Sequence, residues 1–282
     1  MNADCYYEIG HSHTNCQDYA LTGNVNDNLT YALISDGCSS SEDVDVGARI
    51  LVHAAKEYLL TAYKEHSELP QIQASDLALP IIVTASRHIR DLMLPLASLD
   101  CTLLIILSDG LKVNAFIYGD GGFLIKKKIG EGSIYHYVNF PSGAPYYLSY
   151  LLSPARQERY FKEFGQEAVI KREYIKNGVM ITSSIGTKID DFQKLYDAAT
   201  FCEDWDFEWV AATSDGVNSF QKNSDGSILN VEKEKMVQAF SDYKNFKGKF
   251  VERRMKRISK DCQKENITHY DDISCATIYM GN

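Results

Sequence analysis

Apolar and polar residues fall along the chain in two rhythms. Short β-rich runs alternate apolar and polar, or run apolar and end in Asp or Ser. They predict strands over Leu29–Ser35, Thr102–Leu107, Val113–Gly119, Phe123–Lys127, Ile134–Val138, Gly178–Thr182, Trp209–Ser214 and Ile273–Met280. A helical period appears over Val46–Glu65, where Ala48, Leu51, Val52, Ala55, Leu59 and Ala62 share one stripe, and the acidic stretch Glu42–Asp45 suits its N-terminus. Asp76–Leu94 predicts a second helix, interrupted at Pro80. Glu232–Asp242 and Gly248–Asn266 predict a late pair, the second with a basic face of Lys249, Arg253, Arg254, Lys256, Arg257 and Lys260. A solvated helix face is the plain reading of those cations.

Strands follow strands and helices come in pairs. That order predicts an α+β protein: a four-layer α-β-β-α sandwich of two mainly antiparallel sheets flanked by helix pairs, rather than a doubly wound parallel sheet. No repeat or linker divides the chain, so residues 1–282 read as a single domain. Phe140 to Asp206 is its least regular part, read as a flap beside a site or as a surface excursion. It holds Tyr146, Tyr147, Tyr150 and Tyr160, which suit a substrate groove or a core equally.

Composition narrows the partners. The chain has 282 residues, 45% hydrophobic and 24% charged, which excludes a disordered chain or a fibre. The net charge of −9 argues against a nucleic-acid partner. The longest apolar runs, Leu77–Val83 and Leu103–Leu107, are far below the roughly 20 residues of a membrane span. Met1–Gly10 lacks the features of a signal peptide. Cys5, Cys16, Cys38, Cys101, Cys202, Cys262 and Cys275 are scattered and odd in number, which fits reduced thiols. His11, His13 and Cys16 have no second pair with which to bind zinc. The expectation is a cytoplasmic monomer without a membrane partner.

The candidate chemistry lies in Asp residues at strand ends: Asp36 in ISDG, Asp120 in YGDGG, Asp215 in TSDG, Asp271 and Asp272 before the last strand, and Asp18 in NCQDYA. An isolated Asp-Gly pair is ordinarily turn chemistry, and Asp109–Gly110 is read that way, as a type I′ hairpin turn. If Asp18, Asp36, Asp215 and Asp271 converge, however, their charges need compensation, which two divalent cations supply. Oxygen-only ligands favour Mg²⁺ or Mn²⁺. Gly37 leaves its carbonyl open to close approach.

At these residues the chain resembles the metal-dependent protein phosphatases of type 2C. NCQDYA, ALISDGCSSS, DVGARILVHAAKEYL, DCTLLIIL, FIYGDGGFLIKK, VAATSDGVNSF and YDDISCATIYM occur in the family's order. The resemblance implies a two-metal phosphatase that hydrolyses phosphoserine or phosphothreonine in a phosphorylated protein, by attack of a hydroxide bridging the metals. It makes Asp36 the bridging ligand and Gly37 a carbonyl ligand. Asp215 and Asp271 become ligands of the other metal, Asp18 a ligand through water, and Asp120 the ligand of a third, weaker ion. His13 stands where eukaryotic members have a phosphate-gripping Arg, Gln17 where they have Glu, and Cys38 where they have His. Ser39–Ser41 replace the glycines that normally follow the bridging aspartate, and Asp100 is unexplained. Arg156 and Arg159 are candidate substitute grips. Two alternatives stand beside the phosphatase: a pseudophosphatase that binds a partner or phosphoprotein, and a hydrolase of a small phosphorylated metabolite. No DxDx[TV] strand supports a haloacid-dehalogenase site.

Overall fold

The computed structural model describes residues 1–129, 132–176, 179–188, 195–196, 200–203, 207–224 and 227–281. In chain order its elements begin with β1 (Asn2–Glu8), β2 (Tyr19–Asn24), β3 (Thr30–Ser35), α1 (Val44–Ala62) and α2 (Ala74–Asp91). Next come β4 (Leu103–Ser108), β5 (Val113–Tyr118), β6 (Gly121–Lys127), β7 (Ser133–Asn139), α3 (Pro154–Phe164), β8 (Glu167–Lys176), β9 (Val179–Lys188) and β10 (Phe201–Glu203). The last are β11 (Phe207–Thr213), β12 (Phe220–Ser224), β13 (Ser227–Asn230), α4 (Lys233–Ser241), α5 (Phe250–Lys264), β14 (Ile267–His269) and β15 (Ile273–Tyr279).

Two antiparallel sheets face each other: β1-β15-β11-β6-β7-β8-β9 and β10-β5-β4-β3-β2. A small sheet, β13-β12-β14, stands beside them. The helix pair α1 and α2 covers the five-stranded sheet with Leu51, Val52, Ala55, Leu77, Ile81 and Ile82, all buried. On the other side, α4 and α5 pack Met236, Val237, Phe240, Val251, Met255 and Ile258 against the seven-stranded sheet. The α-β-β-α order is the one the residue pattern predicts. Its reason is visible in β3 and β4, buried at every residue because one face meets the other sheet and the other meets helices. No helix among the described residues is long and apolar enough to cross a membrane.

Several elements differ from the sequence reading. Pro80 lies inside α2 without ending it; buried Leu77, Ala78, Ile81, Ile82 and Ala85 on either side hold the helix to its neighbours. The region from Phe140 to Asp206, expected to be irregular, contains α3 and the long antiparallel pair β8–β9, which extends the seven-stranded sheet from β7. Gly178 and Asp206, at the ends of two expected segments, lie outside the described residues. Tyr146, Tyr147 and Tyr160 are buried, and the ring centroids of Tyr146 and Tyr160 are 5.1 Å apart in an edge-on contact, so these rings are core.

Asp109 is a turn residue, though not of type I′. Ser108 pairs with Val113, leaving a four-residue loop in which Gly110 adopts φ +87°. The Asp109 carboxylate accepts Leu111 N–H at 2.9 Å and Lys112 N–H at 2.8 Å, and reaches across to Leu69 N–H at 2.9 Å.

Asp100 has a role that sequence alone left open. It is buried, and both its oxygens accept from the Arg156 guanidinium of α3, at 2.7 and 2.6 Å. Ser149 Oγ donates to Oδ1 at 2.6 Å and Ser41 Oγ to Oδ2 at 3.1 Å. Arg156 is therefore an anchor for Asp100 rather than an open phosphate grip. Arg159 is exposed, with its guanidinium 3.6 Å from Glu163. The anchor bears directly on Asp36: Cys38 N–H donates to the Asp100 carbonyl at 2.8 Å, Thr102 N–H to the Asp36 carbonyl at 2.8 Å, and Asp36 N–H to Thr102 Oγ1 at 3.0 Å.

Two stability predictions follow from these contacts. Arg156→Ala leaves the Asp100 carboxylate enclosed without its cation and is expected to cost about 2–3 kcal/mol in urea unfolding, just under the cost of breaking a fully buried pair because Arg156 keeps some solvent contact. Asp109 behaves oppositely to an exposed carboxylate. Burial works against its charge, but the N–H groups of Leu69, Lys112 and Leu111 outweigh it and hold the carboxyl below its usual range. Its contribution is then present above the unfolded pKa of about 4 and fades as pH falls below that. Asp109→Ala should destabilise at pH 7 and converge with the wild type in acid; a stability difference that persists unchanged in acid would contradict this.

Candidate metal centre

The five carboxylates come from five places in the chain that meet at one end of the sheets. Asp36 follows β3, Asp120 lies in the crossing from β5 to β6, Asp215 follows β11, Asp271 precedes β15, and Asp18 precedes β2. The Asp120 crossing passes from one sheet to the other through Gly119 and Gly121, whose φ values of +93° and +98° suit glycine. Asp215 opens a 3₁₀ turn, Asp215–Asn218. Behind it Gly216 lies so close to the Asp272 carbonyl that a Cβ would come within 1.8 Å of it.

Asp272 is the fastener of the site. Its buried carboxylate accepts Gly10 N–H at 2.6 Å and Gln17 N–H at 2.5 Å. His13 Nδ1 lies 3.0 Å from the same carboxylate, and His13 Nε2 is 3.6 Å from Asp271. Residues 10–17 are thereby held beside the start of β15. His11 N–H and Ser12 N–H add bonds to the carbonyls of His269 and Tyr270, each at 3.0 Å. His13, expected at a substrate phosphate, turns both ring nitrogens toward carboxylates. Cys16 is directed to the Asp18 carbonyl at 3.6 Å, so it does not join His11 and His13.

The electrostatics record the convergence. Burial raises the Asp36 carboxyl well above its ordinary range, and the charges of Asp18, Asp215, Asp271 and Asp120 raise it further. Asp120 is raised by burial, then by Asp215, Asp271 and Asp18. Asp215 is raised by burial and by Asp271, with Asp36 beside it working the other way. Asp18 is pushed up to about 7 by burial, against the easing effect of Ser274, Ser214 and Asp36. Both Asp18 carboxyl oxygens, and Oδ1 of Asp215, are buried without a hydrogen-bond partner. Enclosed carboxyl oxygens that repel one another and lack donors are the environment a hard divalent cation satisfies, so the donor set fits Mg²⁺ or Mn²⁺. Among the described residues no group of three or more His, Cys, Asp or Glu side chains is arranged so that it could hold a metal ion as it stands.

Gly37 sits in the loop as expected, but its lack of a side chain has a packing reason too: a Cβ would meet Val44 Cβ at 2.8 Å. Cys38 lies 3.1 Å from Ser40 Oγ. Buried Tyr147 faces it near Asp120 and Asp36; burial and then Cys38 keep the phenol well above its usual range. Beside this wall is a cavity of about 430 Å³ lined by Cys38, Asp100, Tyr147, Tyr150, Arg156 and Tyr160, among others. Sequence reasoning missed Asp272 as the fastener and the Asp100–Arg156 pair, since neither partnership has a local spacing.

Comparison with known proteins bears on the fold. Residues 9–137 match protein phosphatase 2C. No curated protein matches the chain. Among solved structures, the serine/threonine phosphatase Stp1 from Staphylococcus aureus is similar at 9% identity and TM-score 0.53, over 100% of this chain and 96% of that one. The S. agalactiae serine/threonine phosphatase is similar at 14% identity and TM-score 0.52, over 98% of each chain. A bacterial serine phosphatase is similar at 10% identity and TM-score 0.51, over 100% and 98%. At such identities the structures speak for the fold. Residues 9–137 are thus similar to protein phosphatase 2C, and the chain as a whole shares the fold of these phosphatase structures.

Proposed function

We propose that the chain is a single-domain phosphatase that hydrolyses phosphoserine or phosphothreonine in a phosphorylated protein with Mg²⁺ or Mn²⁺. The observation that carries this reading is the meeting of Asp18, Asp36, Asp120, Asp215 and Asp271, with buried oxygens left unpartnered. Asp36, Asp215, Asp271 and the Gly37 carbonyl would hold two ions, with Asp18 behind them and Asp120 toward a third. Such ions, when bound, acidify a nucleophilic water and neutralise phosphoryl charge. The chain's own part is to hold the carboxylates aimed at one another, where their raised pKa values favour a cation over bare charge. Thr102 fixes the Asp36 backbone, and Ser214 Oγ accepts Ser274 N–H at 3.0 Å, tying the Asp215 turn to β15. His13, set by Asp272, orients Asp271; it meets substrate phosphate only by leaving that carboxylate. The Cys38–Tyr147 cavity lies where residues flanking the phosphorylated side chain would rest. A cytoplasmic monomer with neither nucleic-acid nor membrane partner belongs to the same reading.

A second reading, a pseudophosphatase that binds a phosphoprotein without turnover, draws on the engagement of both candidate phosphate grips, Arg156 by Asp100 and His13 by Asp271 and Asp272.

Hydrolysis of p-nitrophenyl phosphate and of a phosphothreonine peptide is expected with Mn²⁺ or Mg²⁺ and not with EDTA. Asp36→Asn should lower turnover by about a hundredfold or more, as loss of a charged ligand at a two-metal site. Without metal that variant should melt at or above the wild type, because one of several repelling buried charges is gone. Mn²⁺ should raise the wild-type Tm and leave that of Asp36→Asn nearly unmoved. A metal-induced shift in Tm without turnover supports the pseudophosphatase; no shift in either protein overturns the metal centre itself.

A further inference from the structure

The exposed face of α5 concentrates positive charge. Arg253, Lys256, Arg257 and Lys260 are all exposed and recur at spacings of three and four, which places them along one side of the helix. Together with Lys244 from the α4–α5 connection they border a cavity of about 390 Å³, whose lining also includes Tyr243 and Phe250. A flat solvated helix face has no such concavity and no aromatic lining.

Part of this charge is answered locally. Lys256 pairs with Glu252 at 2.6 Å and Arg257 with Asp261 at 3.0 Å, both on α5. Arg254 pairs with Asp242 at 3.2 Å. The rest is not. Among the described residues Lys244, Arg253 and Lys260 have no acidic partner; Arg253 donates instead to neutral acceptors, Asn245 Oδ1 at 2.9 Å and the Lys247 carbonyl at 2.7 Å. This surplus stands in a chain of net charge −9.

We propose that the cavity is a docking site for a short acidic segment of a partner protein. From Arg253 to Lys260 the helix rises about 10 Å, the span of about three residues of extended peptide. Asp or Glu side chains of such a segment meet Arg253, Lys260 and Lys244, and an apolar side chain between them rests against the half-buried Tyr243, with Phe250 in the core beneath it. The same arithmetic disfavours larger polyanions. A nucleic acid or an anionic bilayer extends well past the screening length of about 8 Å and meets the acidic remainder of the surface. A short peptide meets the cavity alone. None of these residues belongs to the carboxylate cluster, so the site stands whether or not the phosphatase reading holds.

The test is fluorescence anisotropy of the full chain with a short fluorescein-labelled peptide of Asp and Glu around one Leu, beside its Asn/Gln counterpart. The acidic peptide should bind saturably, more weakly as salt rises, and the amide peptide should not bind. Arg253→Glu combined with Lys260→Glu should weaken binding about tenfold or more, as reversal of charges at a docking rim does. Lys64→Glu, at an exposed site elsewhere, should leave binding unchanged; circular dichroism checks that both variants keep the fold. Absence of binding at low salt overturns the proposal, as does equal loss in the Lys64 variant or none in the double variant. Stronger variant-sensitive binding to phosphatidylserine vesicles or single-stranded DNA also overturns it and assigns the surface to those partners.

Discussion

Crowding carboxylates into one volume is the constraint around which this molecule is organised. Isolated, Asp18, Asp36, Asp120, Asp215 and Asp271 would each stay in water; brought together, Asp18, Asp215 and Asp271 all raise the cost of ionising Asp36 and Asp120. A chain accepts such a cluster only on a rigid frame. Here the frame is two facing sheets whose strand ends deliver the acids, with Thr102, Asp272 and the tight passage at Gly216 holding the loops that present them. The hydrophobic layers on either side offset the repulsion stored at the end of the sandwich.

Two further carboxylates near the cluster are used quite differently. Asp272 and Asp100 are buried too, yet each is surrounded by donors: the Gly10 and Gln17 N–H groups for one, Arg156, Ser149 and Ser41 for the other. The contrast separates structure from chemistry. A buried acid with every oxygen served holds loops in place, whereas one with bare oxygens is waiting for something positive. Asp18 and Asp215 are of the second kind.

Much of this was legible in the residue order, and what was not has physical causes. Asp36, Asp215 and Asp271 stand at the ends of strongly apolar strands, where alternation stops abruptly, so both strand and acid are visible. The edge strand β1 is half-buried along its whole length, shows no clean alternation, and went unseen. So did β8, rich in charged residues because it lies toward the sheet edge. Arg156 reads as an exposed helix residue from spacing alone, since Asp100 lies 56 residues away and only the tertiary fold joins them. The basic face of α5 was visible as a stripe; the concavity beneath it depends on the connection that carries Lys244.

The bond from Gly10 N–H to the Asp272 carboxylate spans a separation of 262 residues, and β1 pairs with β15 over still longer separations. Local contacts can form α1, α2 and the β2–β3 and β4–β5 hairpins early, since those elements are close in sequence. The acid cluster cannot form with them. It is complete only when the last strand has threaded between β1 and β11, which makes the centre a late event in folding governed by long-range closure. Asp271 therefore joins Asp18 and Asp36, whose adjoining strands β2 and β3 pair locally, only once β15 is in place. The repulsion among them is then met only after the layers able to bear it exist.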